Sequence, residues 1–332
     1  MAQAEHIYSG SRDNTARKID SDGNQVWSFT GHTARVAGVA VDPDGNVYSG
    51  SSDNTVRKID ADGNQVWSFT GHTSSLYEVA VDADGNVYSG SFNTLRKINS
   101  SGSQVWSFTS FTGFGVVRGV AVDADGNVYS GSNDSTVRKI NSSGSQVWSF
   151  TGHTDSVYNV AVDADGNVYS GSNDDTVRKI NSSGSQVWSF TGHTNSVWGV
   201  AVDSDGNVYS ASSDNTVRKI NSSGSQVWSF TGHTATTNDV AVDADGNVYS
   251  ASSDNTVRKI NSSGSQVWSF TGHTANVQAV TVLSYPNSTD STDDPITKVK
   301  VAGTFVPIAP KVKINGTFVE KKSKVKVGGT FV

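Results

Sequence analysis

Six histidines of this 332-residue chain recur in one short context, Gly-His-Thr. They are His32, His72, His153, His193, His233 and His273. Imidazole is a common metal ligand, but these histidines lie 40 or more residues apart, on separate copies of a repeat, so they cannot converge on one ion. We interpret them as structural groups, each oriented by a hydrogen-bonding partner, and we expect no metal site.

Other catalytic chemistry has little support in the sequence. Cysteine is absent, glutamate occurs only at Glu5, Glu78 and Glu320, and no Gly-x-Ser-x-Gly motif is found. The repeated segment Asp-Ala-Asp-Gly-Asn resembles half of a calcium loop, but its glycine is fourth, whereas such a loop needs glycine sixth. A hairpin turn accounts for the same residues. We therefore expect no enzyme activity, no catalytic residue and no cofactor.

The charge is divided unevenly along the chain. Residues 1–283 carry 17 Lys and Arg against 27 acids, a net of −10, whereas residues 298–332 carry eight Lys against Glu320, a net of +7. An acidic surface repels phosphate, so we expect no nucleic-acid partner. No apolar run is long enough to span a membrane and no export signal is visible, so we expect no membrane insertion.

Seven copies of a repeat of about 40 residues carry these motifs. The copies align on Trp27, Trp67, Trp106, Trp148, Trp188, Trp228 and Trp268. Within one copy, four short β-branched segments are separated by turn sequences such as DADG, SSDN and NSSG, which predicts a four-stranded antiparallel blade. Seven such sheets bury their faces by packing radially.

The ends of the repeat region predict a closed ring. Residues 6–30 supply only the second, third and fourth strands of a blade, and the missing first strand occurs at residues 276–282. We therefore predict that residues 1–283 form an all-β, seven-bladed propeller, in which the last strand completes the first blade.

The motif Gly-His-Thr, followed about twenty residues later by SSDNTVRKID, resembles the WD-repeat propellers. The usual Trp-Asp position reads Ile-Asp or Ile-Asn here, and the outer segment DGNQVW resembles the tryptophan-docking repeats of quinoprotein propellers. The WD-repeat resemblance implies that each histidine bonds to an aspartate in its own blade. The implied pairs are His32 with Asp53, His153 with Asp174, His193 with Asp214, His233 with Asp254, and His273 with Asp13.

The copies differ from one another mainly just after Gly-His-Thr. Among these variable residues, Tyr77, Arg118, Tyr158 and Trp198 are types that make partner contacts, and we expect them near one mouth of the central channel. Drift at solvated loops is the alternative. One sector also loses a histidine and an aspartate and gains three phenylalanines, Phe92, Phe111 and Phe114. They form either an exposed contact patch or a filled gap.

A polar linker at residues 284–297 leads to three repeats of period 13, KVKVAGTFV, KVKINGTFV and KVKVGGTFV, in residues 298–332. Each predicts a minimal β-hairpin, which is marginal alone in water. We therefore expect an anchoring or oligomerising tail that uses Val299, Val301, Phe305, Phe318 and Phe331. These repeats resemble short repeats at the ends of bacteriophage tail proteins.

Three functions remain open from the sequence. The first is a bacteriophage virion protein, in the tail or as decoration, whose propeller is displayed outside the cell and binds a host-surface glycan or protein. In that case its protein partners are virion components or other copies of itself, bound through the tail. The second is a scaffold in the bacterial cytoplasm that docks proteins on the propeller rim. The third, a ring enzyme, has the least support.

Overall fold

The computed structural model describes residues 5–109, 111 and 115–283, together with the backbone of 298–301, 304–307, 311–314, 317–320, 326–327 and 330–331. The secondary structure of these residues is entirely β. The described part of the chain holds no helix that is long and apolar enough to cross a membrane.

Blades 1 to 4 are built from strands of four to seven residues, each with its own sheet. Blade 1 contains β1 (His6–Ser11), β2 (Ala16–Asp20), β3 (Gln25–Phe29) and β28 (Val277–Leu283). Blade 2 contains β4 (Val36–Val41), β5 (Val47–Ser51), β6 (Val56–Ile59) and β7 (Gln65–Phe69). Blade 3 contains β8 (Leu76–Val81), β9 (Val87–Ser91), β10 (Thr94–Ile98) and β11 (Gln104–Phe108). Blade 4 contains β12 (Val117–Val122), β13 (Val128–Ser132), β14 (Val137–Ile140) and β15 (Gln146–Phe150).

Blades 5 to 7 repeat the same plan. Blade 5 contains β16 (Val157–Val162), β17 (Val168–Ser172), β18 (Val177–Ile180) and β19 (Gln186–Phe190). Blade 6 contains β20 (Val197–Val202), β21 (Val208–Ser212), β22 (Val217–Ile220) and β23 (Gln226–Phe230). Blade 7 contains β24 (Thr237–Val242), β25 (Val248–Ser252), β26 (Val257–Ile260) and β27 (Gln266–Phe270).

The prediction of a seven-bladed propeller closed by the last strand is confirmed. In blade 1, β28 pairs antiparallel with β1, and His6 lies opposite Leu283. The strand order of that sheet is β28-β1-β2-β3, so the two ends of the repeat region share one sheet. Every other blade uses four consecutive strands, ordered from the channel outward.

The turn sequences form hairpin turns, as predicted, because their side chains accept hydrogen bonds from the backbone. In the turn after β8, Asp82 Oδ1 accepts hydrogen bonds from the backbone N–H groups of Asp84 and Asn86, at 3.1 and 2.8 Å. Its Oδ2 accepts the hydroxyl of Tyr88 at 2.9 Å. The first carboxylate of this segment therefore organises a hairpin and anchors a core tyrosine.

Neighbouring blades pack through a repeated contact between an outer tryptophan and the next blade. Trp148 of blade 4 lies 6.0 Å from the ring of Tyr129 and donates its indole N–H to the carbonyl of Ser182 in blade 5, at 3.1 Å. The ring also rests on Gly184, where φ is +87° and an added Cβ would approach the indole to 3.0 Å. Glycine is therefore required at this turn for two reasons, the positive φ of the backbone and the close approach of the indole ring.

The tail contains three two-stranded antiparallel hairpins. They pair β29 (Lys298–Val301) with β30 (Thr304–Pro307), β31 (Lys311–Ile314) with β32 (Thr317–Glu320), and β33 (Lys326–Val327) with β34 (Thr330–Phe331). Each pairing joins a Lys-Val segment to the Thr-Phe segment that follows it. The side chains of the tail lie outside the described residues, so the role of Val299, Val301, Phe305, Phe318 and Phe331 stays a prediction, as do the three domain boundaries.

Candidate functional site

Each Gly-His-Thr histidine lies at the start of a blade, on one end of the ring, which we call the upper face. In blade 2, His32 Nδ1 lies 2.8 Å from Asp53 Oδ2, and His32 Nε2 lies 2.8 Å from Ser49 Oγ. Because the carboxylate only accepts, Nδ1 donates to Asp53 and Nε2 accepts the Ser49 hydroxyl. Burial lowers the pKa of His32 below its ordinary value, so the imidazole is neutral at neutral pH.

Asp53 gathers several donors at the same turn. It accepts the backbone N–H of Thr33 at 3.1 Å and the Thr55 hydroxyl at 2.6 Å, and Arg57 lies 3.6 Å away. Burial opposes ionisation, but the bonds from Thr55 and His32 outweigh it and hold the pKa of Asp53 down at about 2. The carboxylate therefore stays ionised and joins two loops of the blade.

The other four implied pairs have the same geometry. The distance between Nδ1 and the carboxylate oxygen is 2.8 Å for His153 and Asp174, for His193 and Asp214, and for His233 and Asp254, and it is 3.0 Å for His273 and Asp13. The last pair connects residues from the two ends of the repeat region, because His273 precedes β28 and Asp13 follows β1. These groups repeat around the ring, which fits a structural role.

Blade 4 lacks the histidine, and Phe111 takes its place. The Phe111 ring lies 5.3 Å from Phe108 in an edge-on contact, the geometry that His153 adopts with Phe150, and it is only 6% exposed. The Arg138 guanidinium lies 4.9 Å from the same ring. Of the two alternatives left open for this sector, Phe111 fits the filled gap and not the exposed patch, because the ring occupies the space left by the imidazole.

The loss of the imidazole leaves one buried hydroxyl of blade 4 without a hydrogen-bond partner among the described residues. This hydroxyl belongs to Ser130, the counterpart of Ser49. Asp134 lies closer to its arginine than in the other blades, 2.8 Å from Arg138 compared with 3.6 Å between Asp53 and Arg57. Blade 4 has thus replaced the imidazole by an aromatic contact, and the Ser130 hydroxyl is not compensated.

The other two phenylalanines of this sector do not join Phe111. Phe92 is 47% exposed. It occupies the position that, in the other blades, immediately precedes the aspartate of the turn after the second strand, as Ser52 precedes Asp53. Blade 3 has lost that aspartate, and His72 bonds to the hydroxyls of Ser91 and Ser89 instead, at 3.0 and 2.8 Å. Phe114 lies outside the described residues. Contact by Phe92 and Phe114 stays a prediction.

Seven variable residues surround the channel at the upper face, and we call them the channel-mouth ring. They are Ala37, Tyr77, Arg118, Tyr158, Trp198, Asn238 and Gln278, each the second residue of an innermost strand. Each one falls where the pairing register shifts, for instance between Val36 and Gly38. The residue at such a β-bulge is released from the ladder and its side chain is re-aimed. The bulges therefore make seven equivalent positions available to a ligand.

Four of the seven residues of the channel-mouth ring form a continuous stack. Trp198 lies parallel to Tyr158, with ring centroids 4.1 Å apart. The Arg118 guanidinium lies between Tyr158 and Tyr77, at 5.6 and 4.5 Å from their ring centroids, and Arg35 covers Tyr77 at 5.8 Å. The structure thus brings together all four residues that the sequence analysis proposed for this mouth. Cation–π and stacking contacts hold them in one arrangement.

Hydrogen bonds to the turn after the second strand fix the same side chains. Arg118 Nε donates to Asn133 at 3.0 Å, and Trp198 Nε1 donates to Ser213 at 2.6 Å. The Tyr158 hydroxyl donates to Asn173 at 3.1 Å in the same way. The mouth is therefore ordered before a ligand arrives, which reduces the entropy lost on binding.

One residue deeper, the channel narrows at a second ring, which we call the throat ring. Its members are Gly38, Glu78, Gly119, Asn159, Gly199, Asp239 and Ala279. Glycine alternates with a side chain because the strands approach closely. A Cβ on Gly119 would lie 2.6 Å from the Cα of Asn159 in the next blade. The side chains that are present project over their glycine neighbours and close the bottom of the mouth.

Two acids of the throat ring are electrostatically unusual. Burial deep in the channel raises the pKa of both Glu78 and Asp239, and their proximity raises that of Glu78 further. Asp239 accepts backbone N–H groups from Val240 and Val280, at 2.8 and 2.9 Å, which partly offsets burial. The pKa of Asp239 is thereby raised to about 7, and that of Glu78 lies well above its ordinary value.

Together the mouth and throat enclose a cavity of about 370 Å³. Its walls carry aromatic edges, guanidinium groups, amides and hydroxyls, the mixture found in ligand sites. No group of three or more metal-binding side chains is present among the described residues. The sequence analysis missed Arg12 in this cavity, and it included Arg35, Glu78 and Asp239 only among the variable residues after Gly-His-Thr, not among the contact residues. Their only signal was that each departs from the repeat at its position.

Two protein families match this chain. A family model described as outer membrane protein assembly factor BamB matches residues 52–169, 91–195 and 173–292. A second model, described as WD domain, G-beta repeat, matches residues 23–60. No relative was found among curated proteins. The resemblance to propeller repeats, stated above from the motifs, is confirmed by both families.

Proposed function

We propose that this chain, which belongs to the family described as outer membrane protein assembly factor BamB, is a non-enzymatic binding protein. Its ligand docks at the channel mouth. Repeat propellers of these families support a protein-binding scaffold as the general function. The observation that carries the proposal is the concentration of sequence differences at the seven bulge positions of the channel-mouth ring, on blades that otherwise repeat nearly letter for letter.

The physical argument is that the blades supply a rigid frame and the mouth supplies specificity. Tyr77, Arg118, Tyr158 and Trp198 are neither core residues nor freely mobile ones, because each is half-buried and held by stacking or hydrogen bonds. Aromatic and arginine side chains of this kind contribute most of the binding energy at protein interfaces.

The direction of β28 separates the mouth from the tail. The strand begins beside the mouth, where Gln278 lines the cavity, and it ends at Leu283, next to the turn that contains Gly45 on the lower face. At about 3.3 Å per residue, the chain leaves the propeller on the face opposite the mouth. A tail attached there can hold an anchor while the mouth points away from it.

In its finer form, the proposal is a bacteriophage virion component, outside the cell after release. The tail would join it to virion proteins or to its own copies, and the mouth would meet a host-surface glycan or protein. Many copies on one particle would convert weak contacts into firm attachment. A scaffold in the bacterial cytoplasm is the second candidate, favoured by the match of residues 23–60 to the WD domain, G-beta repeat.

The mouth is tested with a variant that removes its aromatic rings. The labelled full chain, Tyr77→Ser with Trp198→Ser, and the control Val147→Ser are compared on glycan and peptide arrays and on intact bacterial cells. Val147 is 55% exposed on an outer strand, far from the mouth. We expect the double variant to lose about tenfold or more in affinity. Equal binding by the double variant, or no binding by the wild type, would contradict the proposal.

The tail is tested by the solution mass, from light scattering, of the full chain and of a chain ending at Leu283. We expect an assembly that becomes monomeric on truncation, because isolated hairpins gain stability by covering one another. Equal monomeric masses would favour the cytoplasmic scaffold.

A further inference from the structure

Three arginines face the channel mouth without a partner of opposite charge. Arg12, Arg35 and Arg118 line the cavity, and none of them forms an ion pair with any described residue. By contrast, six of the seven third-strand arginines are paired with an aspartate, as Arg178 is with Asp174 at 3.5 Å. The exception is Arg96, whose blade lacks the aspartate. Three of the four arginines that form no ion pair with a described residue therefore lie at one opening of an acidic propeller.

Their charges act on one another. The pKa of Arg35 is lowered by its partial burial and then by the positive charges of Arg12 and Arg118. Arg35 donates from Nε to Ser52 at 2.8 Å, and Arg118 donates from Nε to Asn133 at 3.0 Å, so neutral oxygens hold each group in place. Arg35 also donates from Nη1 to Gln278 at 3.4 Å, which leaves its Nη2 and the terminal nitrogens of Arg12 and Arg118 to contact a planar anion through paired N–H groups.

The acids below do not cancel this charge. Burial raises the pKa of Glu78 and Asp239 and so opposes their ionisation, and even when both are ionised they carry two negative charges against the three positive charges of the arginines. The cavity is therefore electropositive at its opening and offers hydrogen-bond donors and acceptors at its floor.

The remaining walls match hydroxyl groups better than an apolar ligand. Ser213, Asn238, Ser253 and Gln278 line the arc beyond Trp198, where the channel-mouth ring carries short polar residues. The volume of about 370 Å³ lies at the small end of the range for ligand sites, and the throat ring closes the bottom. One ring-sized group fits, with a charged substituent toward the arginines.

We infer that the channel mouth binds an acidic saccharide, with the carboxylate of one sugar unit held by Arg12, Arg35 and Arg118 and its hydroxyls by the amide and serine side chains. This inference rests on the proposed function and specifies its ligand. An acidic peptide also has a carboxylate, but it lacks the several hydroxyls that Ser213, Asn238, Ser253 and Gln278 would bind. The saccharide is therefore the ligand class that uses both the arginines and these polar side chains.

The test is calorimetric titration of the full chain with three probes at low and high salt. D-glucuronate carries both the ring and one carboxylate, D-glucose carries the ring alone, and N-acetylglutamate carries two carboxylates without the ring. We expect glucuronate to bind about tenfold or more above either of the others, because a charged two-point contact contributes at least that factor. Its affinity should fall with salt.

The matched variants assign the contact to the arginines. Arg12→Gln with Arg35→Gln is expected to lose about tenfold or more in glucuronate affinity. Arg178→Gln, which removes a charge outside the cavity, is expected to lose none. Equal affinity for glucose would refute the charge argument, and equal affinity for N-acetylglutamate would replace the saccharide by an acidic peptide. Failure of glucuronate while the aromatic double variant still abolishes cell binding would overturn this inference alone.

Discussion

Asp53 provides the sharpest test of the interactions that stabilise each blade. The perturbation is Asp53→Ala, which removes the acceptor of bonds from His32, Thr33 and Thr55 and leaves a buried imidazole and a half-buried hydroxyl without that acceptor. The depression of the Asp53 pKa from 3.8 to about 2 corresponds to about 2 kcal/mol in favour of the folded state at neutral pH. Charged hydrogen bonds of this kind give a similar figure.

The sign of the pH effect follows from the same shift. A carboxyl whose pKa is lower in the folded state contributes stability that is complete above about pH 4 and is lost as the pH falls toward 2. We therefore expect Asp53→Ala to lower the free energy of unfolding by about 2 kcal/mol at pH 7 and by less at pH 3.

The assay is urea unfolding followed by tryptophan fluorescence. The control is Asp62→Ala, since Asp62 is exposed in a turn on the lower face. If Asp53→Ala and Asp62→Ala unfold at the same urea concentration at pH 7, the carboxylate relay does not stabilise the blade and the reasoning is refuted. Blade 3 shows that a blade forms without the aspartate, so we expect a weakened fold and not an unfolded chain.

Three further predictions concern the altered blade and the throat. Phe111→Ala should lower the free energy of unfolding by about 3 kcal/mol in a thermal or urea melt, whereas Phe111→His should lower it by less because the Ser130 hydroxyl regains an imidazole partner; equal losses would contradict this. Gly119→Ala should cost about 1–3 kcal/mol in the same melts, since its Cβ meets the backbone of Asn159, and an unchanged midpoint would show that the throat can widen. For Glu78, the raised pKa means that the folded state binds the extra proton, so wild-type stability should fall as the pH rises above the ordinary value of 4.5, while the stability of Glu78→Gln should fall less; parallel pH profiles would contradict the assignment.

The regular part of the fold could be predicted from the sequence because the residue patterns that specify it are local. The Asp and Gly of each turn, the alternation of the strands and the recurring tryptophan all act within one copy of the repeat, and the missing first strand could be counted at either end. The His–Asp pairs were implied by the WD-repeat resemblance, and the structure places all five within 3.0 Å.

The altered sector was harder to read because burial depends on what a neighbour has lost. Phe111 reads as an extra aromatic residue in a longer loop, and nothing nearby in the sequence shows that it occupies the space of a histidine. Whether a phenylalanine is exposed or buried is decided by the cavity available to it, and that cavity is made by residues distant in sequence.

The amino-acid sequence by itself determined the number of blades, the strands and turns within each, and the closure of the ring, because repeated local patterns and a displaced strand specify them. Only the tertiary structure decided the site. The bulges that turn Tyr77, Arg118 and Trp198 into one mouth, and the glycines that let Glu78 and Asp239 share the throat, arise when seven strands about 40 residues apart meet around one axis. Contacts across that axis have no counterpart in the order of residues along the chain.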